Sequence, residues 1–285
     1  MDKKKIVFII SAAAFTLLFA LLAVFVFPKK KYTFPLDTSK TDIIIVGDSL
    51  YANGINDVRE LASFVLEATD AEVQNCSIGG TTASKLNKGN EVDYYGDLLN
   101  FHNVSNIICT HDISSVSDNV KSLTSNYDAS YVKMKYLVGT DLNKEDFLIV
   151  NYGINDVNLR VRTKSENPYD EYTFAGAMRA GIKRIHEKYP DLKIIIGEVT
   201  YTTYIQNGEP DESFDEVTDA YRDEYNEELK RIADEFDNVY FFEISQYMEI
   251  NKNNYETYLA DGLHLNEEGK KRYSAALAEY LEELK

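Results

Sequence analysis

Asp261 stands three residues ahead of His264 in "LADGLHLN", with Gly262 between them. A tight turn at that spacing brings a carboxylate against an imidazole and fixes the tautomer, so that the other ring nitrogen can take a proton. Such a base needs a hydroxyl to act on, and the chain offers one in Gly47-Asp48-Ser49-Leu50, directly after the apolar run "DIIIV". A serine on a strand-to-helix turn can expose its hydroxyl, and its backbone N–H can point where an oxyanion would form. Two further stretches can supply donors to that anion. In Ser77-Ile78-Gly79-Gly80-Thr81-Thr82 a glycine permits close backbone approach. In Gly153-Ile154-Asn155-Asp156 the Asn155 amide carries two N–H donors.

These residues have to be positioned by the elements that precede them. Five short apolar runs suit buried parallel strands: "DIIIVG" from Asp42, "EVQNCSI" from Glu72, "DFLIVNYG" from Asp146, "LKIIIGEV" from Leu192 and "NVYFFEIS" from Asn238. Helical spacing occupies Asp57 to Ala68, Tyr172 to Lys188, Phe214 to Phe236 and, after Asn266 as an N-cap, Glu267 to Lys285. The stretch from Lys85 to Lys144 reads as helical and loop insertion, with "VSNIICTHDI" as a candidate sixth strand. Alternating strands and helices predict an α/β fold of three layers, α/β/α, around a five-stranded, mainly parallel sheet. In such sheets ligands sit beyond the carboxyl ends of the strands, where the quoted motifs fall. The tetrapeptide Gly-Ile-Asn-Asp occurs twice, at 54–57 and 153–156. Only the second copy follows a strand of its own, so it carries Asn155 to the sheet edge; Asn56 and Asp57 fit the start of a helix.

The four blocks, in this order at strand ends, resemble the GDSL-type, or SGNH, family of serine esterases and lipases. The resemblance covers the whole soluble part and implies a flavodoxin-like arrangement. It also implies that Ser49 is the nucleophile and that Asp261 and His264 complete the triad. The Ser49 N–H, the N–H of Gly80, with Gly79 as the alternative, and the Asn155 side chain would form the oxyanion hole. The implied reaction is cleavage of O-acyl esters through an acyl-enzyme, with no cofactor and no metal, on an acylated glycan or small-molecule substrate. An O-acyltransferase acting on a cell-surface glycan and a non-catalytic glycan-binding module are the alternatives. Leu265 follows the histidine where the family often has proline. An ordinary α/β-hydrolase is excluded, since there is no G-x-S-x-G elbow and its acid normally lies far from the histidine.

At 285 residues the chain can build a sizeable core without disulfides or metals. Residues 1–31 have their own character: an uncharged run of 22 residues, Ile6 to Phe27, lies between Lys3, Lys4, Lys5 and Lys29, Lys30, Lys31. As a helix it would span about 33 Å, enough for a bilayer core, and it predicts an uncleaved transmembrane signal anchor rather than a cleaved signal peptide. Residues 32–41 read as a tether and 42–285 as one catalytic domain, placed extracytoplasmically on a single-pass anchor. Without residues 1–31 the balance is 24 Lys and Arg against 46 Asp and Glu, a net charge of −22. That acidity excludes nucleic acid as a partner. Cys76 and Cys109 show no metal spacing and are open to either pairing or burial as thiols. His102, His111 and His186 lack a nearby serine or acid in a comparable setting except for His111 beside Asp112, a pair that reads as a surface feature, and Asp48 and Asp156 read as organisers of the site loops. Tyr51, Tyr152, Tyr201 and Tyr204 near strand ends are candidates to line a substrate pocket, and Arg160 and Arg162 to meet an anionic group.

Overall fold

The β-branched and aromatic runs form five strands: β1 Ile43–Gly47, β2 Val73–Asn75, β3 Phe147–Asn151, β4 Lys193–Gly197 and β5 Val239–Phe242. They pair in the order β2-β1-β3-β4-β5, every neighbour parallel. The computed structural model describes residues 42–52, 60–69, 71–86, 95–114, 127–206 and 209–285, all within the unit Leu36–Lys285. The apolar run 6–27, the tether 32–41 and the Gly-Ile-Asn-Asp copy at 54–57 lie outside the described residues. Among the described residues, no helix is long and apolar enough to cross a membrane.

Strand periodicity splits the core in two. Ile44, Val46, Leu148, Val150, Ile194 and Ile196 point into one cluster, and Ile43, Ile45, Phe147, Ile149 and Ile195 into the other. Both faces are therefore apolar, and each needs a cover of helices. The main helices are α1 Leu61–Thr69, α2 Phe101–Thr110, α3 Tyr127–Gly139, α4 Ile154–Asn158, α5 Phe174–Lys188, α6 Glu212–Asp234 and α7 Glu267–Glu283. Residues from α2, α3, α5 and α6 fill the first cluster, and those from α1 and α7 the second. Complete burial of a side chain such as Ile44 or Ile45 contributes about 2–3 kcal/mol.

Capping residues set where the helices begin. Thr173 accepts the Gly176 N–H, so α5 starts at Phe174 rather than Tyr172; Asp211 accepts from Ser213 and Phe214, so α6 starts at Glu212 rather than Phe214. Asn266 caps α7 through the Gly269 N–H, as expected. The candidate sixth strand is a helix instead: most of "VSNIICTHDI" lies in α2. Phe101, Val104, Ile107 and Ile108 share its buried face at helical spacing, and Asn100 caps it through Asn103. The β-branched residues favour a strand, and packing against α5 overrides that preference. A small antiparallel pair, Ile205–Gln206 with Glu209–Pro210, lies between β4 and α6; its two-residue arms are too short to show a strand pattern in the sequence.

Candidate active site

The strand order places the site. The chain moves from β1 to β2 on one side and then to β3 on the other, so the loops after β1 and β3 diverge across a crevice at the sheet's carboxyl edge. Gly47 and Asn151, the last residues of those strands, are in register. Ser49 follows the first strand and Asn155 the second. The turn after β1 is stitched to its neighbours by Asp48 N–H to Asn151 O at 3.2 Å and Ile78 N–H to Gly47 O at 2.9 Å.

His264 arrives from the far end of the chain on a closed turn. Leu259 and Leu265 form an antiparallel bridge, and the Ala260 N–H donates to His264 O at 2.8 Å. Gly262 makes the reversal at φ +83°, where a Cβ would lie 2.6 Å from the Thr203 carbonyl oxygen, so no larger residue fits. The turn brings His264 Nε2 to 2.9 Å from Ser49 Oγ and His264 Nδ1 to 2.8 Å from Asp261 Oδ2. Asp261 Oδ1 accepts the N–H groups of Leu263 at 3.0 Å and His264 at 2.7 Å. Partial burial pushes this carboxyl up, but the His264 N–H, its imidazole and the Leu263 N–H outweigh burial and hold it below the ordinary carboxylate value.

The donor side is built from the loops after β2 and β3. Gly79 lies against the serine, with room for a Cβ only at 3.6 Å from Ser49 Cβ, and Gly80 turns the chain at φ +78°. Asn155, in the first turn of α4, donates one amide N–H to Thr81 O at 2.8 Å, which ties its head to the Gly79–Gly80 loop. Gly153 caps α4 at φ +130°; a Cβ there would meet Val199 at 2.5 Å and Phe174 at 3.0 Å.

Two buried aspartates hold these loops. Asp156 accepts Ala83 N–H at 2.8 Å, Ser84 N–H at 3.1 Å and Ser84 Oγ–H at 2.6 Å, joining the β2 and β3 loops; burial raises its pKa against those bonds. Asp48 accepts the Leu50 N–H at 3.0 Å through Oδ1, and the Ile154 and Gly153 N–H groups act on the same carboxyl more weakly. Burial pushes Asp48 up to about 7; the Leu50 N–H opposes that and the Asp156 charge adds to it.

A narrow pocket of about 10 Å³ lies at Ser49 and His264, lined also by Tyr152, Ile154, Glu198 and Thr200. Glu198 escapes a reading by motif, although it follows β4 directly and so obeys the same strand-end rule as Ser49 and Asn155. It accepts the Ser245 N–H at 2.8 Å, and burial raises its pKa.

Other candidates fall elsewhere. Tyr51 is wholly buried, its hydroxyl 3.2 Å from that of Tyr273, so it is core and lines no pocket. Tyr152 lines the narrow pocket, Tyr201 lines a neighbouring groove, and Tyr204 is exposed beside Phe214. Arg162 pairs with Asp170 at 3.7 Å, and neither it nor Arg160 lines the pocket at Ser49. His102 does have an acid partner, Glu171 at 3.1 Å, brought from 69 residues away. Burial, then Arg184 and Lys85, nevertheless lower its pKa to about 4. His111 caps α2 and its Nδ1 meets Val138 O at 2.9 Å, apart from Asp112. His186 sits in the last turn of α5. Both cysteines are free thiols, Cys76 buried and Cys109 partly so, and burial pushes them up to about 12 and about 11.

No curated protein sequence matches the chain significantly. Among solved structures it is similar to a protein from Lactobacillus plantarum (TM-score 0.56, 15% identity, covering 86% of this chain and 98% of that one). It is also similar to a carbohydrate acetylesterase from Sinorhizobium meliloti (TM-score 0.51, 17% identity, 86% and 100%). A third likeness is to the aryl esterase of M. smegmatis (TM-score 0.51, 15% identity, 86% and 100%). At such identities these likenesses speak for the fold. The family itself is given by sequence: the GDSL-like Lipase/Acylhydrolase family model matches residues 45–272, most of the chain, and the protein belongs to that family of carboxylic ester hydrolases.

Proposed function

We propose that the protein is a serine esterase that removes acetyl or other short acyl groups from glycans or small esters, with Ser49, His264 and Asp261 as its triad. The observation that carries this reading is the continuous relay from Ser49 Oγ to His264 Nε2 and from His264 Nδ1 to Asp261. His264 takes the serine proton as Oγ attacks the ester carbonyl. Asp261, itself held by two backbone N–H groups, orients the ring and stabilises the imidazolium that forms. The N–H groups of Ser49 and Gly80 and the Asn155 amide receive the oxyanion. Collapse of the tetrahedral intermediate expels the alcohol, which takes its proton from His264, and water attacks the acyl-enzyme with the same base.

A glycan substrate agrees with the carbohydrate acetylesterase among the structural neighbours. The apolar run 6–27 supports a single membrane anchor, and an acidic esterase domain suits the outer side of that membrane.

The test is hydrolysis of p-nitrophenyl acetate by the full-length chain in mild detergent, together with fluorophosphonate labelling. Turnover and label at Ser49 are expected, both lost in Ser49→Ala. A folded wild type that neither cleaves esters nor takes the label would leave the binding-module alternative. Acylated glycan appearing faster than free acid on addition of a glycan acceptor would identify a transferase.

A further inference from the structure

The pocket at Ser49 opens to one side of the nucleophile. Ser49 and His264 line it, and none of Gly79, Gly80 and Asn155 does. In the proposed reaction the carbonyl oxygen turns towards Gly80 and Asn155, so a pocket that meets the serine and the imidazole without them lies where His264 Nε2 exchanges its proton. The alcohol leaves on that side, and the water that attacks the acyl-enzyme enters there, since the same nitrogen serves both steps. Its volume of about 10 Å³ is room for about one water. A groove of about 810 Å³ shares Glu198 and Thr200 with it, which gives that water a route from solvent.

An attacking water needs two acceptors. One O–H faces His264 Nε2, and the other has to be satisfied in a pocket walled largely by Leu50, Ile154, Val199 and Leu263. Two carboxyls line the pocket. Asp48 is only 1% exposed, and its carboxyl is taken up by the Leu50, Ile154 and Gly153 N–H groups. Glu198 is only partly buried, and its surroundings fix it in place. Its N–H donates to Phe242 O at 3.0 Å, which continues the β4–β5 ladder by one residue. The next residue, Val199, is clamped by Asn226, whose Oδ1 accepts the Val199 N–H at 2.9 Å and whose Nδ2 donates to Val199 O at 3.0 Å. Glu198 Oε2 accepts the Ser245 N–H at 2.8 Å, and the Ser245 hydroxyl bonds the same carboxyl. A carboxylate accepts about four hydrogen bonds, so the two from Ser245 leave capacity for another donor. Burial raises the pKa of Glu198 against those two bonds, and a more basic carboxylate is the stronger acceptor.

We propose that Glu198 is a further catalytic residue, which accepts a hydrogen bond from the water that attacks the acyl-enzyme and so orients that water against His264. The inference rests on the esterase reading above. In this step the water gives one proton to His264 Nε2 while its oxygen bonds to the acyl carbon. The bond from that carbon to Ser49 Oγ then breaks, the proton passes from His264 to Oγ, and the carboxylic acid leaves. Glu198 neither gains nor loses a proton.

The experiment uses p-nitrophenyl acetate, whose leaving group departs without a proton. Full-length wild type and Glu198→Gln, in mild detergent at neutral pH, are quenched in acid at intervals and weighed intact, so that formation and decay of acetyl-Ser49 are read as separate rates. Glutamine keeps an oxygen for the Ser245 N–H, and its amide can donate to the Ser245 hydroxyl, but it turns an N–H donor to the water in place of an acceptor. Decay should slow by about tenfold or more while formation stays within about twofold, so that acetyl-enzyme accumulates in the variant. If Glu198→Gln does not fold, Ser245→Ala keeps the N–H and removes the hydroxyl that fixes the carboxyl, and it should slow decay alone by a smaller factor. Formation and decay slowed alike would make Glu198 a tie to the Ser245 segment and overturn the proposal. Unchanged decay would overturn it too, as would a wild-type acetyl-enzyme that water does not release. A wild type that forms no acetyl-Ser49 and takes no fluorophosphonate would overturn the esterase reading itself, and the role of Glu198 with it.

Discussion

Two aspartates flank Ser49, and their surroundings set them apart. Asp261 sits on a surface turn with its side chain about half exposed, yet both oxygens are occupied and its charge is favoured. Asp48 is almost wholly buried next to Ser49, and its charge is disfavoured until about pH 7. On the His264 side, backbone donors and the imidazole favour an ionised carboxylate, the form that the proposed triad uses. On the Ser49 side, burial and the neighbouring Asp156 suppress charge, and the carboxyl holds a turn. Environment divides two chemically identical groups between a proposed electrostatic role and a structural one.

The comparison breaks most visibly on the base side. Ser49→Ala or His264→Ala should lower kcat by about 10⁴- to 10⁶-fold. Asp261→Asn should cost roughly 10⁴-fold by presenting the wrong tautomer to Ser49. An Asp261→Asn enzyme with near-normal kcat would show that the imidazole is oriented by the turn alone. Asn155→Ala comes next. Loss of one oxyanion donor costs about 10²- to 10³-fold in kcat, and KM should move little. A change confined to KM would place Asn155 in substrate binding instead.

On the buried side the effect moves from rate to stability. Asp156→Ala removes the acceptor for two N–H groups and one hydroxyl that join the loops after β2 and β3. The expected loss is about 3 kcal/mol or more in a denaturant titration, since the donors left behind are buried. A loss below 1 kcal/mol would mean that the two loops keep their places without the carboxylate.

The two sides also differ in how much of them can be read from sequence. Strand and motif come together at β1 with Ser49 and at β3 with Asn155, so attention to the first residues beyond each strand finds both. The Asp261–His264 pair is local, and a three-residue spacing suffices. Long-range pairings escape. Helix α2 carries Val104, Ile107 and Ile108, residues that favour strands, and only its partner α5 decides otherwise. Tyr51 looks poised for a ligand two residues after Ser49, but its turn drops it beside Tyr273, 222 residues away in sequence. The pairing of His102 with Glu171 is likewise a product of packing. Glu198 is within reach of the strand-end rule, but a single glutamate has no motif around it to mark it.

The smallest effect tests the contrast most directly. Asp48→Asn keeps an oxygen for the Leu50 N–H and removes the titration. In the native protein Asp48 stays protonated up to about pH 7, whereas in the unfolded chain it ionises near the ordinary value of 3.8. Between these values the folded state binds more protons, so its stabilising contribution is complete below about pH 4 and is lost as pH rises towards 7. The slope is at most about 1.4 kcal/mol per pH unit. Unfolding free energies of wild type and Asp48→Asn should therefore run parallel below pH 4. They should separate in favour of the variant by about 2 kcal/mol by pH 5.5, and run parallel again above the native pKa. Asp261→Asn should show the opposite sign, because its native pKa is lowered: wild type gains on the variant as pH rises through the acid range. Parallel curves for Asp48→Asn across the whole range would mean that the buried carboxyl is ionised in the fold, and the division between the two sides of Ser49 would have to be redrawn.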